Sequence, residues 1–130
     1  MPKRILIVDD SMVMRKLLIR MLRESGYDCI VIEAPGGREA IIQFRSQSID
    51  LILCDWNMPQ MNGLEVVEEI RKIDPAKKVP IIMITTEADS NKVTQAIKSG
   101  VQNYLTKPFT PDQLKKKLVA LLAPDGPGPG

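Results

Sequence analysis

Two adjacent carboxylates, Asp9 and Asp10, follow the apolar run of residues 5–8, and a third, Asp55, closes the run of residues 51–54. Thr85 and Lys107 stand in the same relation to later runs. Polar groups that close apolar strands are out of place in a core and belong at a rim where chemistry is done. Three carboxylates brought to one rim repel each other, so without a cation at least one should hold its proton above the usual range. A hard divalent ion relieves that repulsion. Oxygen ligands without imidazole or thiolate select Mg²⁺ or Mn²⁺ over zinc or copper, and the chain contains no histidine. Mg²⁺ keeps several waters and needs only one or two carboxylates, which leaves an aspartate oxygen free to attack phosphorus. Lys107 would then offer a positive charge to the phosphoryl oxygens, and Thr85 a hydroxyl. Taken singly, each residue has a plainer reading, since an Asp after a strand often caps the next helix and a loop lysine is usually solvated. The weight lies in finding all five at strand ends.

To bring those ends together, the chain must alternate strands and helices, and its pattern does so five times. Residues 4–8, 28–33, 49–54, 80–84 and 103–106 read as strands, several almost continuously apolar as strands buried on both faces are. Met14, Leu17, Leu18, Met21 and Leu22 form the stripe of a first helix that Gly26 ends. A second helix covers residues 37–46 with Ala40, Ile41 and Phe44 inward, and a third runs from Leu64 through Val67 and Ile70 toward Lys72. The fourth carries Val93, Ala96 and Ile97 and stops at Gly100. The fifth starts at a Thr110 cap, with Pro111 first, Asp112 complementing the dipole, and Leu114, Leu118, Leu121 and Leu122 inward. Strict alternation implies an α/β domain, a doubly wound five-stranded parallel sheet with helices on both faces and its working site at the carboxyl ends of the strands.

Size and composition narrow the function. At 130 residues the chain fits one domain, over residues 1–123, followed by a Pro/Gly-rich tail at 124–130 expected to be disordered. With 44 % apolar and 26 % charged residues it has the balance of a globular protein, and no run is long enough to span a bilayer. The start lacks the apolar stretch of a signal peptide, so a cytoplasmic location is expected. A net charge of +2, with basic residues clustered only at Lys115, Lys116 and Lys117, gives no case for direct nucleic-acid binding. Without histidine there are no catalytic triads and no His metal sites. Cys29 and Cys54 lack metal-ligand spacing and read as free thiols.

The runs IVDDS, DWNMPQMNG, IIMITTEA and YLTKPF resemble, in this order, the acidic pair, phosphoacceptor loop, switch strand and lysine-proline turn of response-regulator receiver domains. The resemblance covers roughly residues 3–123 and is strongest to the stand-alone, CheY-like chemotaxis type. It implies a flavodoxin-like (βα)5 fold with strand order 2-1-3-4-5. That order puts strand one between strands two and three, beyond disulfide reach for Cys29 and Cys54. The resemblance further implies that Asp55 is the phosphoacceptor and that Mg²⁺ is held by Asp10, Asp55 and the carbonyl of Asn57, with Asp9 helping through water. Thr85 and Lys107 would hold the phosphoryl oxygens, and Lys107–Pro108 would be cis. Gly63 would let the loop after Asp55 turn, with Met58 and Pro59 shaping it.

As a switch, the family moves Thr85 toward the phosphoryl group while an aromatic residue, here Tyr104, turns inward behind it. Partners would be a histidine kinase and a downstream target, such as a flagellar motor or output protein, reading the face of the fourth helix, fifth strand and fifth helix near Lys92, Tyr104, Lys116 and Lys117. The chain would act as a monomer and catalyse only its own phosphorylation and dephosphorylation. Thr86 stands where many members carry Ala, and its bulk would slow access to the site. Asn57 and Glu87 hold the positions that tune hydrolysis in the family.

Three other readings compete. An Asp-nucleophile phosphohydrolase needs an acid two residues after the nucleophile, and Asn57 cannot supply an acidic proton. A flavodoxin-like cofactor module needs a first loop that cradles phosphate, where Asp9 and Asp10 present negative charge. A receiver that signals without phosphorylation sits poorly with an intact site, whereas one cut from a longer regulator fits the sequence equally well.

Overall fold

The computed structural model describes residues 2–26, 28–76, 78–86 and 90–122. The tail at 124–130 and Glu87 lie outside the described residues. Elements follow in strict alternation: β1 (Lys3–Val8), α1 (Met12–Glu24), β2 (Cys29–Ala34), α2 (Gly37–Ser46), β3 (Leu51–Asp55), α3 (Gly63–Ile73), β4 (Ile81–Thr85), α4 (Ser90–Lys98), β5 (Asn103–Thr106) and α5 (Pro111–Leu121). All strand pairs are parallel and the order is β2-β1-β3-β4-β5, as the family resemblance implied.

The two-residue period of each strand divides the core. Ile5, Ile7, Leu51, Leu53, Ile82 and Ile84 pack with Leu18, Leu22, Leu114 and Leu118 of α1 and α5. Leu6, Val8, Ile52, Cys54, Ile81 and Met83 pack with Ala40, Val66, Val67, Ile70 and Ala96 of α2, α3 and α4. Both faces of β1, β3 and β4 are therefore dry, which is why these strands read as continuous apolar runs.

β1 and β5 end where periodicity puts them, and β2, β3 and β4 end one residue later. Asp55 and Thr85 each close a strand rather than follow it, because the ladder continues past them: the amide of Trp56 donates to the Ile84 carbonyl at 2.9 Å, and that of Lys107 to Thr85 at 2.8 Å. Helix ends match their local chemistry. Gly26 and Gly100 hold φ of +84° and +104°, as expected after α1 and α4. Thr110 caps α5, and Gln113 returns the bond to complete a capping box; Asn62 and Glu65 do the same for α3.

Two inward assignments were wrong. Leu17 is 40 % exposed and Ile97 57 % exposed. On α1 the buried face is Leu18, Met21 and Leu22, and on α4 Ala96 is buried, so each stripe is narrower than its apolar residues allow. The role of Gly63 also differs from expectation. It is the first residue of α3, and the left-handed residue of the loop is Gln60, at φ +68°. Gly63 is required by contact instead: a Cβ there would lie 2.8 Å from both Trp56 Cα and Met83 Sδ and would strike the Asp55 carbonyl.

Candidate phosphorylation site and metal centre

Among the described residues, the buried polar or charged side chains are Asp9, Asp55, Thr85 and Arg71. The first three share one rim, at the carboxyl ends of β1, β3 and β4. Arg71 lies at the far end of the sheet and is structural. Its guanidinium donates to the Gly100 carbonyl, to Gln102 Oε1 at 2.9 Å and to Asp74 Oδ2 at 3.0 Å, tying α3 to the turn before β5.

At the rim, one carboxylate oxygen from each of Asp9, Asp10 and Asp55 falls within 4.8 Å of the others, so the three sequence-predicted acids do converge. Asp9 is held on several sides. Its amide donates to the Ala34 carbonyl at 3.1 Å, its Oδ1 accepts from the Ser11 amide at 2.9 Å, and its carbonyl accepts from Arg15 Nη1 at 2.8 Å. Its Oδ2 is buried and has no hydrogen-bond partner. A buried carboxylate oxygen left in that state is costly unless something positive meets it.

Lys107 reaches across from the end of β5. Its Nζ donates to Asp55 Oδ1 at 3.1 Å and lies 3.9 Å from Asp9 Oδ2. The Lys107–Pro108 peptide is cis, as the resemblance implied. Burial pushes the Asp55 carboxyl above its ordinary range; Lys107 and the Asn57 amide pull it back, and Asp10 adds to the rise. Burial likewise raises Asp9, against the Ser11 amide, with the Asp55 charge adding to the rise. The expectation of raised carboxyls holds, but desolvation leads and mutual repulsion follows.

Thr85 is 2 % exposed, closes β4 and pairs in register with Thr106, whereas Tyr104 pairs with Met83. Thr85 and Tyr104 thus continue the same row of β4 and β5, the one facing α2, α3 and α4. Tyr104 is half-buried against that core, with Lys117 Nζ 5.8 Å from its ring centre and 2.9 Å from Asn103 Oδ1. Lys117 is therefore engaged with β5 rather than simply solvated. Trp56, next to Asp55, is buried, and Lys92 of α4 lies 5.3 Å from its ring centre. Asn57 is exposed beside the site, Met58 is buried and Pro59 exposed. Thr86 is exposed and lines an apolar hollow with Met14, Leu17, Pro108 and Phe109.

Arg15 and Glu33 were missed by sequence reasoning, although Glu33 carried the signal that marked Asp9, a charged group near the end of a largely apolar strand. Cys29 and Cys54 are free, with β1 between their strands, and burial pushes the Cys54 thiol up, so it offers no thiolate. No helix among the described residues is long and apolar enough to cross a membrane.

Comparison with known proteins places this geometry. Residues 5–119 match the family model of the response regulator receiver domain. The chain is 44 % identical over 120 residues to the chemotaxis protein CheY1 of Helicobacter pylori, covering 92 % of this chain and 96 % of that one. It is 43 % identical over 128 residues to the chemotaxis protein CheY homolog of Campylobacter jejuni, covering 98 % and 97 %. Among solved structures, chemotaxis protein CheY4 of Vibrio cholerae superposes with a TM-score of 0.86 at 36 % identity, over 94 % of this chain and 100 % of that one.

Proposed function

The chain belongs to the response regulator receiver domain family, and from that premise we propose that it is a phosphorylation switch of two-component signalling, accepting a phosphoryl group from a histidine kinase onto Asp55. The observation that supports this most is Lys107 Nζ, 3.1 Å from Asp55 Oδ1, beside a buried Asp9 oxygen that no hydrogen bond reaches and that Lys107 approaches only to 3.9 Å. That orphaned oxygen and the converging carboxylates fit a hard divalent cation. Asp9, Asp10, Asp55 and the carbonyl of Asn57 would hold Mg²⁺, with Asp9 acting through water. Bound there, Mg²⁺ would neutralise charge on the phosphoryl oxygens.

The chain's own residues do the rest. An Asp55 oxygen forms the new O–P bond as the P–N bond to the donor imidazole breaks, and Lys107 and the Thr85 hydroxyl donate to the phosphoryl oxygens. Asn57 supplies no acid for a leaving group, so the chain is not a turnover phosphohydrolase; it promotes only its own phosphorylation and dephosphorylation. Thr86 narrows access to the site.

Thr85 and Tyr104 carry the output. As Thr85 is drawn to the phosphoryl group, Tyr104 turns inward along the same row and changes the α4-β5-α5 face. An open groove of about 550 Å³ lies there, lined by Tyr104, Thr106, Gln113, Lys116 and Lys117. A downstream protein, of the flagellar-motor or output type, reads this face. The chain acts in the cytoplasm as a monomer, without contacting nucleic acid.

The test uses Trp56. Its fluorescence should change on adding Mg²⁺ and again on adding beryllofluoride, a phosphoryl mimic. No response to either would sink the reading, as would sustained turnover of a small phosphomonoester.

A further inference from the structure

Arg15 Nη1 donates to the Asp9 carbonyl at 2.8 Å while its Nε donates to Glu33 Oε1 at 2.9 Å. Glu33 also takes Lys16 Nζ on its second oxygen at 2.9 Å. The side chain of Arg15 is only 13 % exposed, so the guanidinium is largely covered between the start of α1 and the end of β2. Hydrogen bonds from Lys16 and then Arg15 hold the Glu33 carboxyl below the usual range, so this anchor stays charged.

We infer that Arg15, locked by Glu33, is a positioning residue for the divalent-cation site: it fixes the peptide between Asp9 and Asp10 and so aims both carboxylates at Asp55. This rests on the functional reading given above. The Asp9–Asp10 peptide lies between the end of β1 and the Ser11 cap of α1, outside both ladders. Its carbonyl is the acceptor for Arg15. Fixing that plane fixes the direction in which Asp10 leaves the chain. It also completes the hold on Asp9, whose amide and Oδ1 are met by Ala34 and Ser11, leaving the buried Oδ2 as its open valence. Outer residues that orient metal ligands in this manner typically change metal affinity by about 10–100-fold when removed.

Positioning and simple electrostatics predict opposite signs for this residue. A guanidinium beside a cation site repels the cation, so on charge alone its removal should tighten Mg²⁺ binding. If Arg15 acts by geometry, its removal weakens binding. Lysine keeps the charge but not the planar fork that sends one N–H to each acceptor.

The experiment is a Mg²⁺ titration followed by Trp56 fluorescence, on the full chain and on Arg15→Gln, Arg15→Lys, Glu33→Gln and Arg15→Gln/Glu33→Gln, each checked for folding by circular dichroism. Arg15→Gln and Arg15→Lys should both weaken Mg²⁺ binding, by about 10-fold for the former. The double variant should be no weaker than Arg15→Gln, because Glu33 acts through Arg15. Unchanged or tighter binding in folded Arg15→Gln overturns the inference. If Arg15→Gln does not fold, Arg15→Lys decides it by the same criterion. A wild-type chain blind to Mg²⁺ overturns the functional reading itself and this inference with it, whereas a responsive wild type with an equally responsive Arg15→Gln overturns only the inference.

Discussion

Lys107 and Asp55, 52 positions apart in sequence, form an ion pair at 3.1 Å across the ends of β5 and β3, with side chains 20 % and 7 % exposed. Because Asp55 is buried and lies beside two further carboxylates, the pair compensates a charge that the site would otherwise hold alone. Replacing Lys107 with Gln should destabilise the protein at neutral pH by about 1–3 kcal/mol, the scale of leaving a buried charge poorly compensated. Urea unfolding at pH 7 and pH 3.5 checks this. The difference from wild type should shrink at the lower pH, where a carboxyl held above its ordinary range is mostly protonated in both.

Asp9 gives the complementary case. Its folded-state pKa is raised above the ordinary 3.8, so folding favours the protonated form. Below 3.8 both folded and unfolded states carry the proton and no penalty exists. As pH rises through 3.8 to the folded value stability is lost, and the penalty persists at neutral pH. Asp9→Asn keeps an oxygen to accept from the Ser11 amide and removes the charge. In chelator at pH 7 it should therefore be more stable than wild type, an advantage that fades in acid. Added Mg²⁺ should raise the wild-type melting temperature and raise that of Asp9→Asn less. Equal stabilisation of both would remove Asp9 from the metal site.

Thr85 and Tyr104 share a row of the sheet, so a signal from the rim should pass between them. In two-dimensional NMR spectra, beryllofluoride should shift wild-type amide resonances both around Asp55 and along residues 103–106. Thr85→Ala should respond around Asp55 but leave Tyr104 and Lys117 nearly unmoved. Equal responses at β5 in both proteins would rule Thr85 out of the relay.

Gly63→Ala tests the packing behind the phosphoacceptor. The added methyl meets the Trp56 backbone and the Asp55 carbonyl, which cannot yield without moving the site. A loss of about 1–3 kcal/mol is expected, with a shift in Trp56 emission and weaker Mg²⁺ binding. Wild-type stability would show that the loop gives way freely.

The rim was legible in the sequence for a simple physical reason. A parallel strand buried on both faces reads as an apolar run, and Asp9, Asp55 and Thr85 are charged or polar groups that terminate such runs. Alternation then gave the sheet, and family resemblance supplied its strand order. What stayed hidden depends on long-range packing. Leu17 and Ile97 are apolar and correctly spaced, but periodicity does not say how much neighbouring surface exists to cover them. Arg15 and Arg71 went unread because the partners that give them a role are remote, Glu33 18 positions from the first and the Gly100 carbonyl 29 positions from the second. The raised carboxyls were anticipated from repulsion, whereas the larger cause is burial, a quantity that sequence spacing does not carry.

The central claim is that Asp55 receives phosphorus. Labelled acetyl phosphate, added with Mg²⁺ to wild type and to Asp55→Asn and followed by peptide mapping, tests it most directly. Wild type should take label on the peptide containing Asp55, and should take none when Mg²⁺ is chelated before the donor is added, while the variant should take none in either case. Label retained by Asp55→Asn at the wild-type level, or found on another residue in wild type, would contradict the account.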